Sequence, residues 1–198
     1  MRSATTLAPP RRHRLLLQKL GRAALAVARW RIVGDIPDLP KFVVIVAPHT
    51  SNWDFPLGVM AMFALDLKVH WFGKDTLFRT PLGPLFRRLG GRPVNRAMPE
   101  GVVDEMVAIV RAEPRFILAL APEGTRKRVA RWRTGFYHIA ERAGIPIVPV
   151  SFDWARREVT IRAPMHPTGD LDADVALLKH IYRREMARNP VAFWDAAP

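Results

Sequence analysis

Two five-residue runs without a polar side chain, residues 42–46 and 116–120, constrain the fold more than any other feature of the chain. A strand covered on one face alternates apolar and polar positions, whereas a strand buried on both faces reads as an unbroken apolar run. Other β-like stretches at residues 68–72, 92–95 and 146–152 alternate with helix-like segments at 55–67, 99–113 and 136–143. This alternation predicts a single α/β domain with a largely parallel, mixed sheet flanked by helices. Residues 158–163 read as an antiparallel strand and residues 171–189 as a closing helix, with Asp170, Asp172 and Asp174 at its start and Arg183, Arg184 and Arg188 near its end.

The first run leads into Pro48, His49, Thr50, Ser51, Asn52, Trp53 and Asp54 before the apolar segment resumes. On one continuous helix His49 and Asp54 would point about 140° apart. They meet only if His49 sits on the turn and Asp54 inside the first helical turn. The carboxylate then accepts from one imidazole nitrogen and leaves the other as an acceptor, which is the arrangement of a general base with an orienting partner. The plainer reading has Ser51 or Asn52 capping a helix, Asp54 favouring its positive end, and His49 as polar surface. The second run leads into Pro122, Glu123, Gly124, Thr125 and Arg126. There Gly124 permits close backbone approach, Thr125 brings a hydroxyl, and Arg126 a planar fork suited to phosphate oxygens; a turn with a surface ion pair is the alternative. If the two strands run parallel, both turns open on one edge of the sheet.

Charge narrows the partners. The formal net charge of +13 favours acidic ones: nucleic acid, anionic lipid, phosphorylated small molecules or an acidic carrier protein. With no cysteine, disulfides, thiolate catalysis and Cys-ligated metal sites are excluded. His70, His138, His166 and His180 lack metal-ligand spacing. No apolar run reaches the ~18 residues of a membrane span. Arg11 and Arg12 do not begin an export signal, because Lys19, Arg22 and Arg29 interrupt the segment that follows. Residues 12–31 instead read as a basic amphipathic helix, with Leu16, Leu20, Ala24 and Val27 at helical spacing and Arg14, Lys19, Arg22 and Arg29 mainly on the other side. Its apolar face either lies in an anionic membrane surface or packs on the domain. The chain thus divides into 1–34, a tail and this helix, and 35–198, the α/β domain. Within residues 76–89, Pro81, Gly83 and Pro84 forbid one straight helix and leave a broken, basic segment compatible with a lid or a membrane-facing element.

His-x4-Asp followed about seventy residues later by Pro-Glu-Gly-Thr-Arg resembles the glycerophospholipid acyltransferase family, in particular its 1-acylglycerol-3-phosphate acyltransferase branch. Two further blocks are similar in family order: residues 91–96, ending in Arg96, and residues 143–150. Lys74 sits where the family commonly has a lysine. The resemblance implies that 35–198 is an acyltransferase domain. It implies transfer of a fatty acyl group from a thioester, acyl-CoA or acyl carrier protein, to a hydroxyl of a lysophospholipid-type acceptor, most simply 1-acyl-glycerol-3-phosphate to phosphatidic acid. It makes His49 the base and Asp54 its orienting partner, with Lys74, Arg96, Glu123, Gly124, Thr125 and Arg126 on the substrates. It implies no metal, no cofactor beyond the thioester co-substrate, no covalent intermediate, and a cytoplasmic protein peripheral on the inner face of the membrane. Departures are Pro48, Asn95, Ala121 and Lys127, where many members have Asn, Asp, Phe and a small hydroxyl residue; none removes a group the chemistry needs. One rival keeps the fold and acylates another lyso-lipid. A second, of a different class, is a basic lipid- or nucleic-acid-binding protein without turnover; nucleic acid is not the expected partner, since no helix-turn-helix, zinc-finger or RNA-recognition signature occurs.

Overall fold

The computed structural model describes residues 8–94 and 99–194. Seven strands form one sheet: β1 (Arg31–Val33), β2 (Lys41–Ala47), β3 (Val69–Lys74), β4 (Gly91–Val94), β5 (Phe116–Leu120), β6 (Ile147–Asp153) and β7 (Glu158–Ile161), in the spatial order β1-β7-β6-β2-β5-β3-β4. The five strands β6, β2, β5, β3 and β4 are mutually parallel. β7 returns antiparallel to β6 and carries β1 beside it. The two apolar runs lie at the centre, with Phe42 paired to Ile117 and Val43 to Leu118. Phe42, Val43, Ile45, Ile117 and Leu118 have no exposed surface, as unbroken runs require. Each such side chain stabilises the fold by about 1.5–3 kcal/mol relative to exposure.

Two helical layers cover the sheet. One face packs against α5 (Pro99–Ala112), α6 (Gly135–Ala143) and α7 (Leu171–His180) through Met106, Val110, Phe136, Ile139 and Leu178. The other packs against α1 (Leu15–Val27) and α2 (Asp54–Ala64) through Leu25, Leu57, Ala61 and Met62. The short helices α3 (Asp75–Phe78) and α4 (Gly83–Arg88) are split where the prolines and glycine demand it.

Three features differ from the sequence reading. The strand β1 lies where a helix end and a connector are expected, because three residues pairing at a sheet edge leave no periodic signal. The last helix stops at His180, and Lys179 and His180 take the dipole-complementing places assigned to Arg183, Arg184 and Arg188. Beyond it the chain turns to bury Tyr182, whose hydroxyl reaches the Ile45 carbonyl at 3.4 Å, and then Met186 and Ala187. On α1, the packed face is built around Gly21 and Leu25. A Cβ at Gly21 would stand 2.6 Å from the Ala64 backbone nitrogen, so only glycine lets α1 lie this close to α2. Ala24 is half-buried on that side, whereas Leu16, Leu20 and Val27 are 71%, 55% and 86% exposed.

Candidate active site

Five parallel strands end at one edge of the sheet, and each delivers its following segment there. β2 leads to the His49 turn, β3 ends on Lys74, β5 leads to Glu123, and β6 leads to Trp154. β4 leads toward Arg96, which lies outside the described residues.

His49 sits on the turn and Asp54 begins α2, which brings the two side chains together as the spacing requires. His49 Nδ1 lies 3.2 Å from Asp54 Oδ2. The same oxygen accepts the Ser51 backbone N–H at 2.9 Å, and Oδ1 accepts the Trp154 indole N–H at 2.9 Å. Asp54 thus accepts two hydrogen bonds and lies beside the imidazole, with its side chain 1% exposed while the His49 side chain retains 20%. With Nδ1–H turned to the carboxylate, Nε2 is the acceptor nitrogen, and among the described residues nothing hydrogen-bonds to it. Ser51 has a structural part as well, its hydroxyl accepting the Trp53 N–H at 3.2 Å.

The second turn meets the first. Both carboxyl oxygens of Glu123 lie within reach of the His49 backbone N–H, at 3.0 and 2.8 Å. Glu123 is buried, and burial pushes its carboxyl up to about 8, with the nearby Asp54 charge adding to the rise and the His49 N–H opposing it. The sequence reading puts Glu123 among the groups facing a substrate; its immediate partner here is the backbone of the candidate base. Gly124 adopts φ +65°, and a Cβ there would meet Arg133 Cδ and Nε at 2.7 Å, so the turn requires glycine. Thr125 Oγ1 accepts the Lys127 N–H at 3.3 Å. Arg126 and Lys74 are exposed. An open groove of about 310 Å³ lined by Arg22, Leu25, Trp30, Ile32 and Leu65 lies between α1, the end of α2 and β1, away from this edge.

The acyltransferase family model matches residues 33–153. The chain belongs to the acyltransferase family. Its relatives include the 1-acyl-sn-glycerol-3-phosphate acyltransferase of Escherichia coli (strain K12), 28% identical over 125 residues, a stretch that covers 60% of this chain and 49% of the relative. The enzyme of the same name from Limnanthes douglasii is 26% identical over 122 residues, covering 56% of this chain and 40% of that one. The matched stretches thus span half or less of these relatives' length. The crystal structure of the 1-acyl-sn-glycerophosphate acyltransferase PlsC from Thermotoga maritima superposes with a TM-score of 0.62 over 87% of this chain and 77% of that one, at 22% identity, which establishes a shared fold. No helix among the described residues is long and apolar enough to cross a membrane.

Sequence reasoning missed the surroundings of the His49–Asp54 pair. Trp154, in the turn between β6 and β7, belongs to no motif, and its only advance signal was its position just past a parallel strand. Arg188 stacks on it, with the guanidinium carbon 4.3 Å from the ring centroid and 5.4 Å from that of Trp53. The neighbouring Asn189 donates its N–H to Thr50 Oγ1 at 3.2 Å.

Proposed function

We propose that this chain transfers a fatty acyl group from an acyl thioester to the free hydroxyl of a lysophospholipid, with 1-acyl-glycerol-3-phosphate as the acceptor that fits best. The observation that carries the reading is the His49–Asp54 pair at the strand ends, its Nε2 open and its backbone tied to the 123–126 turn. The names of the two sequence relatives support the acceptor class.

In this mechanism Nε2 of His49 takes the acceptor hydroxyl proton as the oxygen attacks the thioester carbonyl. Asp54 holds the imidazole in the required tautomer and faces the imidazolium that forms. The tetrahedral adduct collapses, the C–S bond breaks, and the leaving thiolate recovers the proton from His49. The products are the ester and a free thiol, and neither an acyl-enzyme nor a metal is needed. Arg126, exposed on the same edge, serves the acceptor phosphate together with Arg96 and Lys74, and holding the phosphate turns an encounter into an oriented reaction. The basic surface and the exposed leucines of α1 fit a peripheral seat on an anionic membrane face, where such an acceptor resides.

Incubation of the purified protein with a panel of lysolipids and labelled acyl-CoA or acyl carrier protein thioester, with products resolved by mass, tests the proposal. Labelled phosphatidic acid is the expected product. Absence of any acylated lipid with either donor would overturn it.

A further inference from the structure

The contacts that fix the dyad do not all come from residues 33–153, the segment that the family model matches. Asp54 uses Oδ2 for both His49 Nδ1 and the Ser51 N–H, so those two contacts anchor a single oxygen. The terminal torsion of an aspartate is broad and roughly two-fold, and a carboxylate anchored on one oxygen can swing its plane away from the imidazole. The other oxygen, Oδ1, accepts the indole N–H of Trp154 at 2.9 Å. We propose that Trp154 is a positioning residue for the dyad, locking the Asp54 carboxylate plane, and that the chain around residues 186–189 is the strap that holds Trp154 in place. The inference rests on the acyltransferase reading above.

Trp154 is itself immobilised on three sides. Its backbone N–H donates to the Met186 carbonyl at 3.0 Å. Its ring meets Trp30 edge-on, with centroids 4.9 Å apart. Arg188 lies over its face and extends to Trp53, the residue directly before Asp54. One position on, the Asn189 N–H engages Thr50, the residue directly after His49. The strap therefore touches the turn beside each member of the dyad as well as the indole that anchors one of them. An indole suits the task because it is a donor only and carries no charge, so it orients the carboxylate without competing for the imidazole proton. Trp154, Arg188 and Asn189 all lie beyond the residues that the family model matches.

Trp154→Phe keeps an aromatic ring and removes the donor. Nitrogen-15 spectra of histidine-labelled protein at alkaline pH read the tautomer of His49 directly. Wild type is expected to hold the Nδ1–H form, and the variant to populate both forms. Its kcat should fall about tenfold, the range for losing a hydrogen bond to a charged group, with the KM of donor and acceptor within about twofold. A folded variant with wild-type kcat, or with the Nδ1–H form undiminished, overturns the proposal. Should Trp154→Phe fail to fold, Arg188→Gln removes the stacking cation alone; a loss of kcat of about threefold at constant KM is then expected, and no change overturns it. Because the tautomer is read without turnover, a wild-type chain that acylates nothing yet shows the tautomer response refutes the proposed reaction and leaves this contact standing.

Discussion

Glu123 holds the backbone of His49 across the sheet edge: its two carboxyl oxygens lie 3.0 and 2.8 Å from the His49 nitrogen, although the residues are 74 positions apart in the chain. The contact ties the turn after β5 to the turn after β2 and fixes where the imidazole starts from. It also puts a carboxyl group in a place where charge is costly. Burial raises Glu123 to about 8, so near neutrality the group is mostly protonated.

A pH dependence of stability follows. Between the ordinary carboxyl range and about 8 the folded chain holds a proton on Glu123 that the unfolded chain has released. Stability therefore falls as pH rises through this window and is not regained above it. Glu123→Gln keeps a neutral acceptor for the His49 N–H and cannot ionise. Thermal melts from about pH 5 to pH 9 should show the variant gaining on wild type up to about pH 8 and holding that gain above it. Parallel curves would mean that Glu123 is already ionised at the acid end.

The dyad separates rate from stability. His49→Ala should lower turnover by about 10²–10⁴-fold, the usual contribution of a positioned base, while leaving the melting temperature within a few degrees. Asp54→Asn should cost both. The Ser51 and Trp154 N–H groups bond to opposite oxygens of that carboxylate, and an amide presents an acceptor on one side only, so one of these donors would face an NH2 group. Urea melts run beside lysolipid assays distinguish the two variants, and full turnover in the His49 variant would end the mechanism.

Arg126 is exposed beside Gly124 and Thr125, and in the proposed reaction it serves binding more than chemistry. Arg126→Ala should raise the acceptor KM about 10–100-fold, in line with losing a charge-assisted hydrogen bond, with a smaller change in kcat. Kinetics with lysophosphatidic acid against an acceptor lacking the phosphate give the check: the penalty should vanish for the second.

His70 is half-buried on β3 and stacks on Phe116, with ring centroids 4.6 Å apart. Burial first, then the Arg92 and Lys68 charges, lower it to about 4. For a base so depressed, the unfolded chain takes up a proton below about 6.5 that the folded chain refuses, so stability is lost as pH falls from there through about 4. His70→Gln removes the titration and keeps a planar group against the ring. Its melting temperature relative to wild type should rise as the pH is taken from about 7 to about 5, and an unchanged difference would refute the assignment.

What could be read in the sequence follows the length over which a physical rule acts. The runs at 42–46 and 116–120 announce two-sided burial because every position obeys it, and they form the paired central strands β2 and β5. The meeting of His49 with Asp54 was legible because a turn of fixed length allows one arrangement that joins them. β1 was not, since three edge residues carry no period. The stop of α7 was hidden because residues 181–189 keep an acceptable helical composition, and only the tertiary need to bury Tyr182, Met186 and Ala187 redirects the chain. Trp154 and Arg188 belong to no motif, and beyond the place of Trp154 just past a parallel strand nothing marked them, because the partner of Trp154 at Asp54 lies 100 positions back in the chain and Arg188 in turn stacks on Trp154, far outside any local period.

The face of α1 that remains open makes the last prediction. Hydrophobicity alone could not tell a packing face from a membrane face; the small residue at Gly21 marks the packed side, and the opposite side keeps Leu16, Leu20 and Val27 in solvent. Three large apolar side chains at i, i+4 and i+11 on a helix, all exposed, form a stripe suited to a bilayer interface. Lys19 is exposed on the same helix, and a lysine near an anionic surface is worth ~1 kcal/mol. Leu16→Glu combined with Leu20→Glu should therefore reduce co-sedimentation with phosphatidylglycerol vesicles at least about tenfold without lowering the melting temperature, because neither side chain is buried. Activity on lysolipid dispersed in detergent should survive the same pair, since the dyad lies at the end of β2 and the start of α2 rather than on α1. Undiminished vesicle binding by the double variant would place the membrane contact elsewhere on the chain.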